Sequence, residues 1–126
     1  MPRTSVVFFR EETSHVPVLD WLEGLRLRDP SAYAKCVARI QRLAEEGHAL
    51  RRPEADYVRD GIHELRAKRG RVNLRILFFF HGRSVAVLAY ALAKEDRIPS
   101  VDLERAVSRQ AAFRASPARH RFEGTP

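Results

Sequence analysis

Between Arg71 and Phe80 the chain alternates without a break. Val72, Leu74, Ile76, Phe78 and Phe80 fall on one side, and Arg71, Asn73 and Arg75 fall on the other. A period of two is the signature of a strand, because successive side chains leave a pleated backbone on opposite faces. Leu77 and Phe79 make the second face apolar towards its end, so cover is expected on both sides there. The surrounding stretch, Gly61 to Pro99, reads as three consecutive strands joined by tight turns at Ala67–Gly70 and at His81, Gly82 and Arg83. The third strand, Val85 to Ala93, is so apolar that both of its faces must be buried, as in a central strand. A register that sets Leu65 opposite Leu74 puts Glu64 opposite Arg75 and Arg66 opposite Asn73. A slip of one residue would reverse every face.

The chain before this sheet supplies its cover. Ser5 to Arg10 is β-branched and aromatic and suits a short strand. Thr13 or Ser14 then caps a helix that tolerates Pro17 in its first turn and buries Val18, Trp21, Leu22 and Leu25. A second helix has Asp29 as cap, Pro30 in the first position and Gly47 as its stop. Tyr33, Val37, Ile40, Leu43 and Ala44 form its apolar stripe, whereas Lys35, Arg39 and Arg42 lie off it and are expected in solvent. Residues 48–60 carry proline and charge without periodicity and read as a loop, where Arg51 and Arg52 can add to a basic rim. Pro99 and Ser100 open a last helix with Leu103, Ala106, Val107 and Gln110 along one side. The expected organisation is one domain over residues 1–115, with a mobile tail over 116–126.

At 126 residues the chain is of single-domain size. It carries 23 basic against 16 acidic residues, a net charge of +7, and all the basic residues but Lys35, Lys68 and Lys94 are arginine. Such a balance favours polyanions, RNA or DNA before acidic proteins, although much of it can be solvated surface. The single cysteine, Cys36, excludes an internal disulfide and a cysteine-based zinc site. His15, His48, His81 and His120 are scattered without ligand spacing, so neither metal nor cofactor is expected. No leader and no apolar run of membrane-span length is visible, which points to a cytoplasmic protein with no membrane partner.

The runs DGIHELR (Asp60–Arg66), VNLRILFFF (Val72–Phe80) and LAYALAKEDRIP (Leu88–Pro99), followed by ERAVSRQAAF and SPARHRFE, carry a resemblance. In this order and spacing they resemble the RelE/ParE superfamily of toxins from type II toxin–antitoxin pairs, and within it the phage-derived, HigB-like (Gp49-like) branch. Relatives often carry histidine and glycine where this chain has Tyr90 and Ala91, and a hydroxyl or basic residue where it has Ala93; Lys94 and Arg97 keep the pattern. The resemblance implies an α+β, RelE-like fold, with an N-terminal strand and αα-hairpin packed on a small antiparallel sheet and a C-terminal helix. It also implies an endoribonuclease (mRNA interferase) that cuts mRNA on the ribosome. The implied partners are a cognate antitoxin with a helix-turn-helix domain, mRNA and ribosome, and operator DNA only through the antitoxin complex. Two other readings stay open: a ParE-like inhibitor of DNA gyrase, and a catalytically degenerate antitoxin-binding repressor.

The chemistry of metal-free RNA cleavage selects the candidate residues. A base assists attack of the ribose 2′-hydroxyl, a cation stabilises the pentavalent phosphorus, and an acid protonates the leaving 5′-oxygen. Arg75 and Arg66 are candidates for the cation, since a guanidinium matches phosphate oxygens and stays charged. Lys94 would add a point charge or move a proton, and Tyr90 would stack on the substrate or donate one. Arg97, Arg71 and Asn73 are candidate RNA contacts. Glu64 and His63 are the possible bases, but alternation puts them on opposite faces, so at most one can enter a shared site. Simpler roles compete: Glu64 and Arg75 as a cross-strand ion pair, His63 and Tyr90 as packed residues, Lys94 and Arg97 as loop charges.

Overall fold

The computed structural model describes residues 3–126. Strand β1 (Ser5–Phe9) leads into helices α1 (Pro17–Arg28) and α2 (Pro30–Glu46), which are joined through Asp29 alone. Four strands follow, β2 (Ala55–Arg59), β3 (Ile62–Arg69), β4 (Val72–His81) and β5 (Val85–Lys94). Helix α3 (Ser100–Ala115), a helical turn α4 (Pro117–His120) and the two-residue strand β6 (Arg121–Phe122) close the chain. One sheet runs in the order β2-β3-β4-β5-β1-β6, antiparallel except where β1 lies parallel to β5.

The alternation in β4 does what its period dictates. Leu74, Ile76 and Phe78 join Val18, Leu22, Leu25, Cys36, Ile40 and Leu43 in a core beneath α1 and α2. Leu77 and Phe79 point the other way and pack with Val87, Leu103, Ala106 and Phe113 under α3. β5 is central, hydrogen-bonded to β4 on one side and β1 on the other, with Ala86–Ala89 buried. Asp29 does cap α2, its carboxylate accepting from the Ala32 N–H at 3.2 Å, with Pro30 in the first turn. Cys36 is buried, which pushes its thiol up to about 11 and makes it inert packing rather than a nucleophile.

Six expectations are corrected. α1 starts at Pro17 with Val16 as N-cap and no side-chain cap, so neither Thr13 nor Ser14 has that role. The stretch expected to be a loop contains β2, which pairs with β3 from Ala55↔Leu65 onward; alternating Ala55, Tyr57 and Arg59 is too short a pattern to stand out. β3 continues to Arg69 and turns through Gly70 (φ +64) and Arg71, so residues 67–69 are strand, not turn. With the tighter turn the register moves by two: Leu65 faces Ile76, Arg66 faces Arg75 and Glu64 faces Leu77. A shift of two keeps every face, so the core assignment survives while each partner changes. Lys35 and Arg39 are not simply solvated; they donate to the carbonyls of Lys68 and Arg66, each at 2.9 Å. The segment expected to be a mobile tail takes regular structure, with β6 paired to β1 and His120 buried against Phe9.

Candidate functional site

Register, not sequence proximity, assembles the polar face. Glu64 and Arg66 on β3, Asn73 and Arg75 on β4, and Tyr90 and Lys94 on β5 lie on the same side of the sheet, the side away from α1 and α2. Arg66 stands directly opposite Arg75, so two guanidiniums meet across one strand gap. Like charges in that relation repel. Glu64 resolves the conflict: its Oε1 accepts from Arg66 Nε at 3.0 Å and lies 3.6 Å from Arg75 Nε.

The two arginines differ in burial. Arg75 is 6% exposed and Glu64 is 6% exposed, whereas the Arg66 side chain is 40% exposed. Arg75 Nε is buried without a hydrogen-bond partner, because 3.6 Å is an ion-pair distance and too long for a hydrogen bond. Asn73 donates to the Glu95 carbonyl at 3.2 Å, yet its Oδ1 is likewise buried and unpartnered. Buried polar atoms are normally satisfied, so Asn73 Oδ1 and Arg75 Nε, at neighbouring positions of one face, are exceptions that folding contacts leave unpaired. Lys94, paired with Asn73 across the strands, extends the positive charge to the open end of β5.

Beside this face lies a cavity of 510 Å³ lined by Arg39, Arg52, Asp56, Glu64, Arg66 and Lys68 among others. Four cationic groups against two carboxylates give it the sign to hold an anion, and the guanidiniums give it the geometry for phosphate.

The remaining candidates are placed as follows. Tyr90 donates its hydroxyl to Asp102 Oδ1 in the first turn of α3, and its ring lies 5.3 Å from the Arg109 guanidinium. Burial, then the bond to Asp102, holds its phenol above the ordinary value, so it stays protonated at neutral pH. Arg97 is exposed in the loop after β5, and Arg71 is exposed in the β3–β4 turn. His63 lies on the opposite face, stacked on Phe78 at 5.3 Å, and burial first of all keeps its imidazole below the usual value. Glu64 and His63 therefore do not share a site.

Sequence reasoning passed over Asp102, Arg109 and Arg39. Asp102 carried a signal, an acidic residue in the first turn of a helix, where the backbone dipole favours it. Arg109 carried none, since its bonds to the Ala89 carbonyl (2.7 Å) and Glu11 (3.4 Å) join positions far apart in the chain. Among the described residues no three His, Cys, Asp or Glu side chains are placed to hold a metal ion, and no helix is long and apolar enough to cross a membrane.

A helical hairpin on one face of a mostly antiparallel sheet, a C-terminal helix on the other and an arginine-bearing open end define the RelE-like α+β fold. Residues 20–111 match the family described as Phage derived protein Gp49-like (DUF891), and the chain belongs to that family, which is known as a toxin type of toxin–antitoxin pairs. No curated protein matches the chain.

Proposed function

We propose that the chain is the toxin of a type II toxin–antitoxin pair, of the HigB-like branch of the RelE/ParE superfamily, and that it cuts mRNA on the ribosome. The observation that carries this reading is Arg75: a buried guanidinium with an unpartnered Nε, set beside Arg66 on a face that also bears Lys94. A scissile phosphate laid on this face takes Arg66 and Arg75 on its non-bridging oxygens, where negative charge grows as the 2′-oxygen attacks. Glu64, the carboxylate that lies against both arginines, is the candidate to receive the 2′-hydroxyl proton. It is already within reach of both arginines, so substrate binding would have to draw them onto the phosphate and free it. Lys94 is the candidate to protonate the leaving 5′-oxygen. Tyr90, held by Asp102, suits positioning better than proton transfer. Arg97, Arg71 and Asn73 would hold the flanking RNA.

In this reading a small antitoxin with a helix-turn-helix domain silences the toxin in the cytoplasm, and the complex, not the toxin, meets operator DNA. The test is expression of the chain alone together with a cell-free translation reaction. Growth arrest and accumulation of cleaved mRNA are expected, and Arg75→Ala should abolish both. Intact mRNA at saturating protein would overturn the reading, and loss of DNA supercoiling in its place would indicate a gyrase inhibitor.

A further inference from the structure

The opposite face of the sheet holds a second concavity that the proposed chemistry leaves unused. A cavity of 660 Å³ opens between the turn Gly47–Ala49, β2 and the ends of β3 and β4. Its floor is a cluster of five rings. His48 lies face to face on Phe80 with centroids 3.7 Å apart, His63 stacks on Phe78 at 5.3 Å, and Tyr57 meets His63 edge-on at 5.1 Å. A ring cluster built only for packing would be closed, but here Tyr57 is 57% exposed and His48 is exposed as well. The volume is in the range of roughly 300–1,000 Å³ usual for small-molecule sites.

The chemistry of the lining selects the ligand. Exposed rings such as Tyr57 and His48 take a flat, polarisable partner by stacking. Burial keeps the His63 ring neutral near pH 7, and a neutral imidazole presents one donor and one acceptor, which suits the mixed edge of a nucleobase better than a plain hydrocarbon. Arg51 and Arg52 stand at the mouth. Arg52 is held by Asp56 at 2.7 Å, which fixes the guanidinium while its side chain remains 81% exposed, leaving N–H groups for a phosphate.

Position selects the source. Arg52, Ala55 and Asp56 line both this cavity and the basic cavity that contains Glu64 and Arg66, so the two concavities meet around β2. We propose that the aromatic cavity bounded by His48, Tyr57 and His63 receives one unstacked base of a single-stranded RNA whose backbone runs along Arg52 and Arg66. This inference rests on the RNA reading of the arginine face and adds to it a site for base recognition on the other side of the β2 edge.

The test uses the full chain and a 5′-labelled, mixed-sequence 2′-O-methyl hexanucleotide, which lacks the attacking hydroxyl and stays intact. Binding is followed by fluorescence anisotropy at low salt, and the His48 and His63 ring protons are followed by NMR in the unaltered chain. Removal of one stacking ring costs about tenfold in affinity for single-strand binders, so His48→Ala and Tyr57→Ala should each weaken binding about tenfold. His48→Phe, which keeps the stack, should restore it, and both histidine rings should shift on titration. Unchanged affinity in the alanine variants, or unmoved histidine resonances, would overturn the base site while leaving RNA binding by the arginine face intact. Failure of the unaltered chain to bind the hexanucleotide would overturn the base site, whereas the RNA reading itself stands or falls on mRNA cleavage in the translation reaction. A nucleoside 5′-monophosphate that binds as tightly as the hexanucleotide would show that the site serves a free nucleotide and overturn its assignment to RNA.

Discussion

Glu64→Gln is the most informative single change, because it removes a charge and almost no volume. In the folded chain the Glu64 carboxylate stands 3.6 Å from Arg75 Nε and 3.0 Å from Arg66 Nε, and the two arginines are themselves directly opposed. Unit charges about 4 Å apart interact by about 4 kcal/mol at an effective dielectric constant of about 20. The Arg66 half of the arrangement is 40% exposed, so solvent screens it to the 0–1 kcal/mol or so of a surface pair. The Arg75 half is not screened in this way, and stripping one partner from a buried pair typically costs about 3–5 kcal/mol. Glutamine keeps an oxygen that can accept a hydrogen bond, so a loss of about 3 kcal/mol is expected, the low end of that range. With a urea dependence of about 2 kcal/mol per molar, the unfolding midpoint should fall by about 1.5 M. The double variant Glu64→Gln/Arg75→Met removes both buried charges and should regain most of the loss while remaining unable to cut RNA. A midpoint for Glu64→Gln within about 0.25 M of the unaltered chain, roughly 0.5 kcal/mol, would refute the argument. So would a double variant no more stable than the single one.

Three further outcomes are expected. His63 binds its proton less readily in the folded chain than in the unfolded one, so the unfolded state takes up more protons between the two values. The stability this contributes is complete above the unfolded value near pH 6.5 and is lost as pH falls through the folded one; His63→Phe should flatten that part of the urea midpoint–pH curve, and an unaltered slope would count against it. At Gly47 (φ +53) an added Cβ would collide with Thr4 Oγ1, so Gly47→Ala should cost more than about 1 kcal/mol by thermal or urea unfolding, with Gly47→Ala/Thr4→Ala recovering only the steric part. Tyr90→Phe should lose about 1 kcal/mol through the missing bond to Asp102 yet leave RNA cutting within a few fold; complete loss of cutting with stability intact would give Tyr90 a chemical role instead.

What the sequence made legible follows from the range over which each feature is encoded. The β4 alternation and the Asp29–Pro30…Gly47 punctuation are local, so the strand, the second helix and both core faces could be read directly. β2 could not, because five residues with exposed Tyr57 and Arg59 have no local period to show; their hydrogen bonds to β3 define them. For the site, alternation put Glu64, Arg66 and Arg75 on one face and His63 on the other, and the structure has that arrangement. Which arginine is buried was not readable, since a two-residue turn in place of a four-residue one changes every pairing without altering any face. The Arg109 contacts and the closing of the C-terminal segment onto β1 connect residues a hundred positions apart, and no window of sequence contains both partners.

The basic character of the site has two origins that composition merges. Beyond Leu65, β3 has no neighbouring strand on its outer side, and an open edge exposes unpaired N–H and C=O groups. The chain closes that edge with side chains and loop: Glu54 O accepts from the Arg66 N–H at 2.9 Å, and Arg39 and Lys35 donate to the carbonyls of Arg66 and Lys68. Arg39 therefore satisfies backbone and lines the basic cavity at once, and such charge alone is weak evidence for a ligand. Arg75 is different. A buried guanidinium paired with a buried carboxylate is no more stabilising than well-packed apolar residues in the same volume, and in a chain of this size the margin for such a substitution is small. Folding alone gives little reason to place arginine there, and the proposed phosphate contact would supply one. In the proposed reading Arg66, pinned through both its N–H and its C=O but with its side chain 40% exposed, would supply the complementary half: a backbone already ordered, and a guanidinium that would exchange Glu64 for the substrate phosphate.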